Sequence, residues 1–458
     1  MKILFITPKN SEASDIISSN TAEILEPTEQ EYMSAVVKDE CETMLLDMRF
    51  EEDSYFYKVL HEYNPDIVVI TSRLWNLSVT KKYFEEIKKF NKDILTIQVC
   101  QFQSNSLPQM FLSNDMDIAI IDEGAFLFKK IISLYKVKKS IYGLEGTAYL
   151  LNGELIINKR TTFEELDSLP FPDRELSAKY RLKYGWEWFR PAATIQTSKG
   201  CVNKCEFCMM WKTTNGKYFE RDIENVVNEL KTIKEKNIYV IDAEAFADSK
   251  RMHNLARLIK KENINKNYFV YARVDSIANN PQLIKEWADI GLKCIHVGFE
   301  YFKQEDLEKF NKNTTLHQQE LAAKICAENN ITISASFIVS NEYSKKDFKD
   351  LAKYCRKLGL IHAGFTALTP IPGTNIFEEY KDKLLTTNYD LFDLFHPVVK
   401  TNMDIKDFCK CYSDLFINSR TLWQNIKLIT SQPIRDIPKT IKTYNAVVKS
   451  IRESYKYY

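Results

Sequence analysis

The sequence predicts an α/β protein made of an N-terminal doubly wound sheet, a (β/α)6 partial barrel and a C-terminal helical region. Strand-like, β-branched runs alternate with amphipathic helical segments over most of the chain, as in parallel sheets with helices between the strands. The 458 residues exceed the length of one ordinary domain. With 45% hydrophobic and 12% aromatic residues, the chain can bury large cores and is not disordered throughout.

Residues 1–140 are expected to form the first domain, a Rossmann-like open sheet. Its strand-like runs are 2–7, 43–48, 66–71, 94–99 and 117–122. The polar segments between them have helical spacing, and residues 79–91 carry one clear apolar stripe. This alternation predicts parallel strands with helices on both faces of the sheet.

Residues 141–190 are expected to connect two domains. Asn152 and Gly153 predict a hairpin turn between the strand-like runs 147–151 and 154–157. Farther on, Pro170 and Pro172 forbid a continuing helix, which suits a connector.

Residues 191–385 are expected to form the second domain. Its strand-like runs are 193–197, 237–242, 268–274, 294–300, 331–339 and 361–369. Six strand–helix units predict a partial barrel, two units short of the eight-fold one. Residues 386–458 have a helical pattern.

Charge and hydropathy narrow the range of partners. Lys and Arg total 63 against 62 Asp and Glu, a formal charge of +1, so no global field attracts nucleic acid or a membrane. The longest apolar runs have strand length, and the first residues predict a strand and turn, not a signal peptide. We therefore expect a cytoplasmic protein that binds neither nucleic acid nor a membrane.

Three of the ten cysteines lie within eight residues. Cys201, Cys205 and Cys208 form a C-x3-C-x2-C pattern directly after a predicted strand and Gly200. Buried packing thiols and a zinc site are alternatives, although a closed zinc site needs a fourth ligand. A [4Fe–4S] cubane normally takes four cysteines, so three would leave one iron free to bind an amino acid through its amine and carboxylate.

This segment, including the aromatic Phe207, resembles the signature of the radical S-adenosylmethionine (SAM) superfamily. The resemblance extends over about residues 190–385 and implies a partial barrel with the cluster loop after its first strand. It also implies reductive cleavage of SAM to methionine and a 5′-deoxyadenosyl radical. Such chemistry implies an external electron donor of the flavodoxin or ferredoxin type.

Other positions match the family less closely. At the end of the second barrel strand, Asp242 and Glu244 are candidates to hold the SAM amino group, or are ordinary strand-end carboxylates. Arg273 matches an Arg-Val-Asp pattern and could pair with the SAM carboxylate. The alternative for Arg273 is an ion pair with a barrel carboxylate.

Two glycine-containing segments also match the family. Gly298 and Glu300 end the fourth strand, where Gly298 would let a ligand approach and Glu300 would accept from ribose or ammonium. After the sixth strand, Pro372 and Gly373 belong to a rigid turn that resembles the family's element near the adenine. Glycine is scarce, with only 12 residues, which adds weight to these positions.

The order of the parts resembles the cobalamin-binding-domain subfamily, which includes hopanoid and phosphinate methylases. The connector 166–174 and the tail segment 389–416 carry this resemblance. It implies that cobalamin relays a methyl group from one SAM molecule to a radical generated by another.

The cobalamin-binding residues are less clear. No Asp-x-His-x-x-Gly motif is present, and bulky Trp75 and Phe102 stand where small residues are usual. Trp75 could pack beneath a corrin that has no protein ligand, or the domain could have lost cobalamin. Both interpretations stay open from the sequence.

The sequence thus predicts a radical SAM methyltransferase that acts on an unactivated carbon or phosphorus centre of a small metabolite. The alternative is a cobalamin-free enzyme that does rearrangement, cyclisation, oxidation or transfer of another SAM fragment. A third class is a non-catalytic iron–sulfur sensor. Among the histidines, His362 and His396 are the candidates for a functional role, with a structural hydrogen bond as the alternative for His396.

Overall fold

The computed structural model describes residues 1–14, 23–100, 113–121, 124–163, 165–186, 188–430 and 437–458. The chain folds into two compact units. The first consists of Met1–Asp15 and Leu25–Lys183, and the second of Ile16–Ile24 and Tyr184–Tyr458.

The first unit is built on a seven-stranded sheet with the order β2-β1-β3-β4-β5-β6-β7. Neighbouring strands are parallel from β2 to β5, and β6 and β7 are antiparallel. The strands are β1 Lys2–Thr7, β2 Glu42–Asp47, β3 Ile67–Ser72, β4 Leu95–Cys100, β5 Ile118–Ile121, β6 Thr147–Leu151 and β7 Glu154–Asn158. The helices are α1 Thr28–Ala35, α2 Asp53–Tyr63, α3 Leu77–Phe90 and α4 Ala125–Lys136. The predicted open sheet is confirmed.

The hairpin at Asn152 and Gly153 forms as predicted, because both residues adopt positive φ, 52° and 83°, which a tight two-residue turn needs. Its first strand, β6, pairs with β5, so the sheet continues to residue 158 and beyond the predicted end at 140. Within the same unit, the guanidinium groups of Arg174 and Arg181 pair with the buried carboxylate of Glu26. The segment after the hairpin is thereby held to the first unit.

The second unit is built on a six-stranded parallel sheet with the order β15-β14-β13-β12-β11-β8, as predicted for the partial barrel. Its strands are β8 Ala192–Ile195, β11 Asn237–Val240, β12 Asn267–Arg273, β13 Leu292–Glu300, β14 Thr332–Val339 and β15 His362–Ala367. The helices that follow these strands are α5 Ile223–Thr232, α6 Ser249–Lys261, α7 Val274–Asn279, α8 Pro281–Asp289, α9 Gln304–Lys309, α10 Leu316–Glu328, α11 Lys345–Lys357 and α12 Asn375–Tyr380. A short antiparallel pair, β9 Ser198–Gly200 and β10 Tyr218–Glu220, lies between β8 and α5.

Successive side chains of each barrel strand point alternately to two different environments. On β13, for example, Ile295, Val297 and Phe299 are fully buried in the hydrophobic core that the sheet shares with the helices. The intervening residues, among them His296, face the barrel interior and are half-buried. The polar residues of the strands are therefore gathered inside the barrel.

Three helices follow the barrel: α13 Ile405–Asn418, α14 Leu422–Thr430 and α15 Ile437–Glu453. The first extends the barrel core with Phe408 and Tyr412, and the Tyr412 hydroxyl donates to the carbonyl of Phe365 on β15. No helix among the described residues is long and apolar enough to cross a bilayer.

The second unit also contains a short piece of the chain's N-terminal region. Ile24 and Gly185 form an antiparallel bridge in which each backbone N–H donates to the other carbonyl, at 3.2 and 2.8 Å. Beside it, the Tyr271 hydroxyl donates to the carboxylate of Glu23. The second unit is thus discontinuous along the chain.

Candidate functional site

The cysteines lie on a loop, residues 201–217, that the β9–β10 pair closes at its base. At this base Gly200 has φ +89°. A Cβ on Gly200 would lie 2.2 Å from the Lys217 carbonyl oxygen and 2.5 Å from Oγ1 of Thr214, far inside contact distance. Only glycine fits here, so the loop can close tightly before its first cysteine.

The three thiols are close neighbours in the described structure. Cys205 is buried, while Cys201 and Cys208 are half-buried. The pKa of Cys208 is raised to about 12, mainly by burial and to a smaller extent by the charges of Cys205 and Cys201. The backbone N–H of Met210 donates to the Cys208 sulfur at 3.4 Å. A cluster that binds these thiols has to stabilise their thiolates, which bound metal does.

No group of three or more His, Cys, Asp or Glu side chains in the described ranges surrounds a common point where one ion could bind. A closed zinc site takes four ligands, whereas the loop 201–217 supplies three cysteines and no histidine. In a cubane each thiolate binds a different iron, so the sulfurs stand apart around it. Three neighbouring thiols on one loop fit a [4Fe–4S] cluster.

Arg273 lies beside the cluster loop with most of its hydrogen bonds already made. Its Nη1 is 3.6 Å from the Cys205 sulfur, Nε donates to Asp275 at 2.9 Å, and Nη2 donates to the Lys312 carbonyl at 2.6 Å. The structure therefore shows the ion pair with a carboxylate that the sequence left open as an alternative.

A buried ion pair between Lys312 and Glu300 stands next to Arg273. Their Nζ and Oε1 atoms are 2.9 Å apart, and the side chains are 6% and 12% exposed. Glu300 has φ +65°, and a Cβ on Gly298 would lie 2.2 Å from its Oε1. The space over Gly298 is therefore filled by the Glu300 carboxylate, where the sequence suggested a ligand.

Lys312 was missed by the sequence analysis. Its ammonium group lowers the pKa of Cys205 against the larger effect of burial, which raises it. No spacing pattern marks this residue, because its partners come from the ends of β12 and β13 and from the cluster loop.

Asp242 and Glu244 follow β11 and behave differently. Asp242 accepts from the backbone N–H of Thr197 at 2.7 Å and from the hydroxyls of Thr197 and Ser198 at 2.6 and 2.7 Å. It thus fixes the strand that leads into the cluster loop. Glu244 is only 1% exposed, and neither of its oxygens has a hydrogen-bond partner among the described residues.

The environment of Glu244 suits a cationic ligand. Burial raises the pKa of its carboxyl to about 7. The charge of Arg273 and weaker polar contacts with the Ser276 side chain and the Arg273 backbone, whose geometry falls short of a hydrogen bond, act in the opposite direction. A buried carboxylate without a partner costs free energy that an ammonium group would recover. Of the two carboxylates predicted from the sequence, Glu244 is therefore the one that fits the SAM amino group.

The turn after the last barrel strand contacts the cluster loop at two points. Lys212 Nζ donates to the Gly373 carbonyl at 2.7 Å, and Ile376 N–H donates to the Glu206 carbonyl at 3.3 Å. Gly373 has φ +92° and the preceding Pro372 is buried. The ring of Phe207 packs edge-on against Phe310, with the centroids 6.4 Å apart.

The cobalamin candidates belong to the first unit. Trp75 lies just after β3, is half-buried, and has the guanidinium of Arg73 5.5 Å from its ring centroid. Phe102 lies outside the described residues.

The two candidate histidines have different surroundings. His396 is fully buried, with Nδ1 2.9 Å from Asp393 Oδ2 and its ring edge-on to Tyr457 near the C-terminus, which is the structural hydrogen bond considered above. His362 faces the barrel interior and contacts Trp186 edge-on at 5.1 Å.

Comparison with known proteins adds to this geometry. The sequence profile of the Radical SAM superfamily matches residues 195–382. Hopanoid C-3 methylase of Methylococcus capsulatus is 28% identical over 253 residues. The matched region covers 55% of this chain and 48% of the methylase. An uncharacterized methyltransferase of Pyrococcus horikoshii is 23% identical over 93% of this chain and 95% of its own.

The fold is that of a solved enzyme. The structure of OxsB, a cobalamin-dependent SAM radical enzyme with aqua-cobalamin and SAM bound, matches with a TM-score of 0.73 and 15% identity over 99% of this chain and 72% of the OxsB chain. Residues 195–382 therefore form a radical SAM domain. Such a domain implies a [4Fe–4S] cluster and SAM as cofactors.

Proposed function

We propose that the protein is a cobalamin-dependent methyltransferase that acts on an unactivated carbon or phosphorus centre of a small metabolite. The observation that carries the proposal is the combination of a Rossmann-like unit with a three-cysteine barrel, the fold of cobalamin-bound OxsB. One relative, which matches about half of the chain, is named as a methylase, and another, which matches nearly all of it, is named as a methyltransferase.

In this proposal Cys201, Cys205 and Cys208 hold the cluster. Reductive cleavage of SAM to methionine and a 5′-deoxyadenosyl radical is chemistry that the cluster supplies when bound. Glu244 accepts from the SAM ammonium group, because its oxygens are buried and have no hydrogen-bond partner among the described residues. Arg273 orients the Cys205 sulfur from 3.6 Å.

A one-electron donor of the flavodoxin or ferredoxin type would have to reach the cluster loop from solvent. Val202, next to Cys201, is 57% exposed and supports access at this point. We propose this side of the loop as the place where reducing equivalents enter.

Cobalamin retention tests the methyl relay directly. The chain is purified without oxygen, reconstituted with iron and sulfide, mixed with hydroxocobalamin and desalted, and the corrin absorbance is read. We expect about one cobalamin per chain, with weaker retention by Trp75→Ala and unchanged retention by Tyr57→Ala, an exposed aromatic of the same unit.

A folded, cluster-loaded chain that retains no cobalamin would refute the methyl relay. The cobalamin-free enzyme would then be favoured, since the chain lacks the histidine motif for cobalt. Cleavage of SAM under dithionite, measured on the same preparation, separates both enzymes from a non-catalytic sensor.

A further inference from the structure

The barrel interior is layered, because strand register places residues from four neighbouring strands at equal heights. At the bottom, the rings of Phe189, Tyr239 and Phe269 pack together with centroids 4.4–5.9 Å apart and fill the space. Two further layers lie above this aromatic layer.

The first of these layers is polar. Tyr271, His296, Ser334 and His362 are register partners on β12, β13, β14 and β15, and we call them the polar row. His296 Nδ1 and Ser334 Oγ are 3.1 Å apart. Among the described residues, neither ring nitrogen of His362 has a hydrogen-bond partner, so His362 keeps its capacity for a ligand.

Both histidines of the polar row are neutral at pH 7. Burial lowers the pKa of His296 and of His362 to about 4. A neutral imidazole both donates and accepts hydrogen bonds, as does the serine hydroxyl between them. This layer is built to hydrogen-bond an uncharged polar group.

The layer above is open on one side. Arg273, Gly298, Ser336 and Gly364 are the register partners here, and we call them the open row. Gly364 is exposed, although both of its strand neighbours are buried, and a Cβ on it would meet only the Ala335 carbonyl oxygen, at 3.4 Å. Among the described residues, free space therefore lies over Gly364, directly above the polar row.

This space is at the level of the proposed cluster. Arg273 belongs to the open row and contacts the Cys205 sulfur at the opposite end of that row. A molecule over Gly364 would thus have the cluster side of the barrel across from it and the polar row beneath it.

We propose that this space binds the substrate and that the substrate is a small metabolite with hydroxyl, carbonyl or amide groups, held by His296, Ser334 and His362. The inference rests on the proposed function, since it assigns the place where the radical meets its target. A hydrocarbon substrate would leave the ring nitrogens of His362 without a hydrogen-bond partner, which is unfavourable for a polar group away from water.

Two probe molecules, one that prefers polar sites and one that prefers apolar sites, test the proposal in crystals. Crystals of the cluster-loaded full chain are soaked in ethylene glycol or pressurised with xenon, which occupies dry apolar cavities. We expect ethylene glycol over Gly364 within hydrogen-bond distance of Ser334 or His362, and no xenon there. In the paired substitution Ser334→Val with His362→Phe, the glycol density should disappear.

Xenon over Gly364 in the unsubstituted chain, or the absence of both probes, would overturn the proposal. Glycol retained undiminished by the doubly substituted chain would also overturn the role of these side chains. Since the soaks need neither cobalamin nor turnover, a failed cobalamin-retention experiment refutes the methyl relay alone.

Discussion

Gly200 shows how one residue can decide whether the cysteine loop forms. The substitution Gly200→Ala places a Cβ against two atoms of the loop's other end and adds about 1–2 kcal/mol for its positive φ. We expect most of the bound iron to be lost, as measured by iron content after reconstitution. Gly216→Ala is the control, since its φ is also positive but the nearest atom would be 3.7 Å from the new Cβ. Equal loss in both variants would contradict the steric argument.

Replacing Glu244 should stabilise the folded chain but weaken its binding of SAM. Glu244→Gln removes a buried charge that has no hydrogen-bond partner among the described residues, so thermal unfolding without SAM at pH 8 should occur at a higher temperature. The same change should weaken SAM binding roughly 10- to 100-fold, because a charged hydrogen bond is lost. Glu379→Gln, at an exposed position, is the matched control for calorimetry of both quantities. Unchanged SAM affinity would remove Glu244 from the site.

Glu23 should make stability depend on pH. Burial raises the pKa of its carboxyl from 4.5 to about 7, so between these values the folded chain holds a proton that the unfolded chain has released. The free energy of unfolding from this group therefore falls as pH rises through that window. His296 and His362 have lowered pKa values and act in the opposite direction between about 4 and 6.5. The test is urea unfolding of the original chain and of Glu23→Gln at several pH values from 5 to 8. The difference between their free energies of unfolding should vary with pH.

At the scale of the element, local sequence patterns predicted well where the strands lie along the chain. They predicted poorly which strands pair with each other in the sheet. The strand bounds agree to within about two residues, since β-branched runs and turn residues are local signals. The hairpin was also predicted, but not its pairing with β5, because local sequence does not specify which sheet edge a hairpin joins. The site shows the same division: the cysteine spacing is local, whereas the contacts of Arg273 with Cys205 and Lys312 join distant segments.

For the whole molecule, two compact units with separate sheets should unfold in separate steps. Cluster binding to the folded barrel stabilises only the unit that contains the cysteines. We expect calorimetry to show two unfolding transitions. Reconstitution with iron and sulfide should raise the midpoint temperature of only one of them. The variant with Cys201, Cys205 and Cys208 all changed to Ala should keep both transitions and lose the response. A single transition that shifts as a whole would contradict this independence.

The bridge between Ile24 and Gly185 has a consequence for how the protein is made. About 160 residues separate these two partners, so at ordinary translation rates the ribosome needs roughly ten to thirty seconds to synthesise the second after the first. During that time Glu23 and Ile24 are already outside the ribosome without their barrel partners. A truncated gene that starts at Tyr184 would never supply them, so a barrel made from it would lack the bridge to Gly185 and the hydrogen bond to Tyr271.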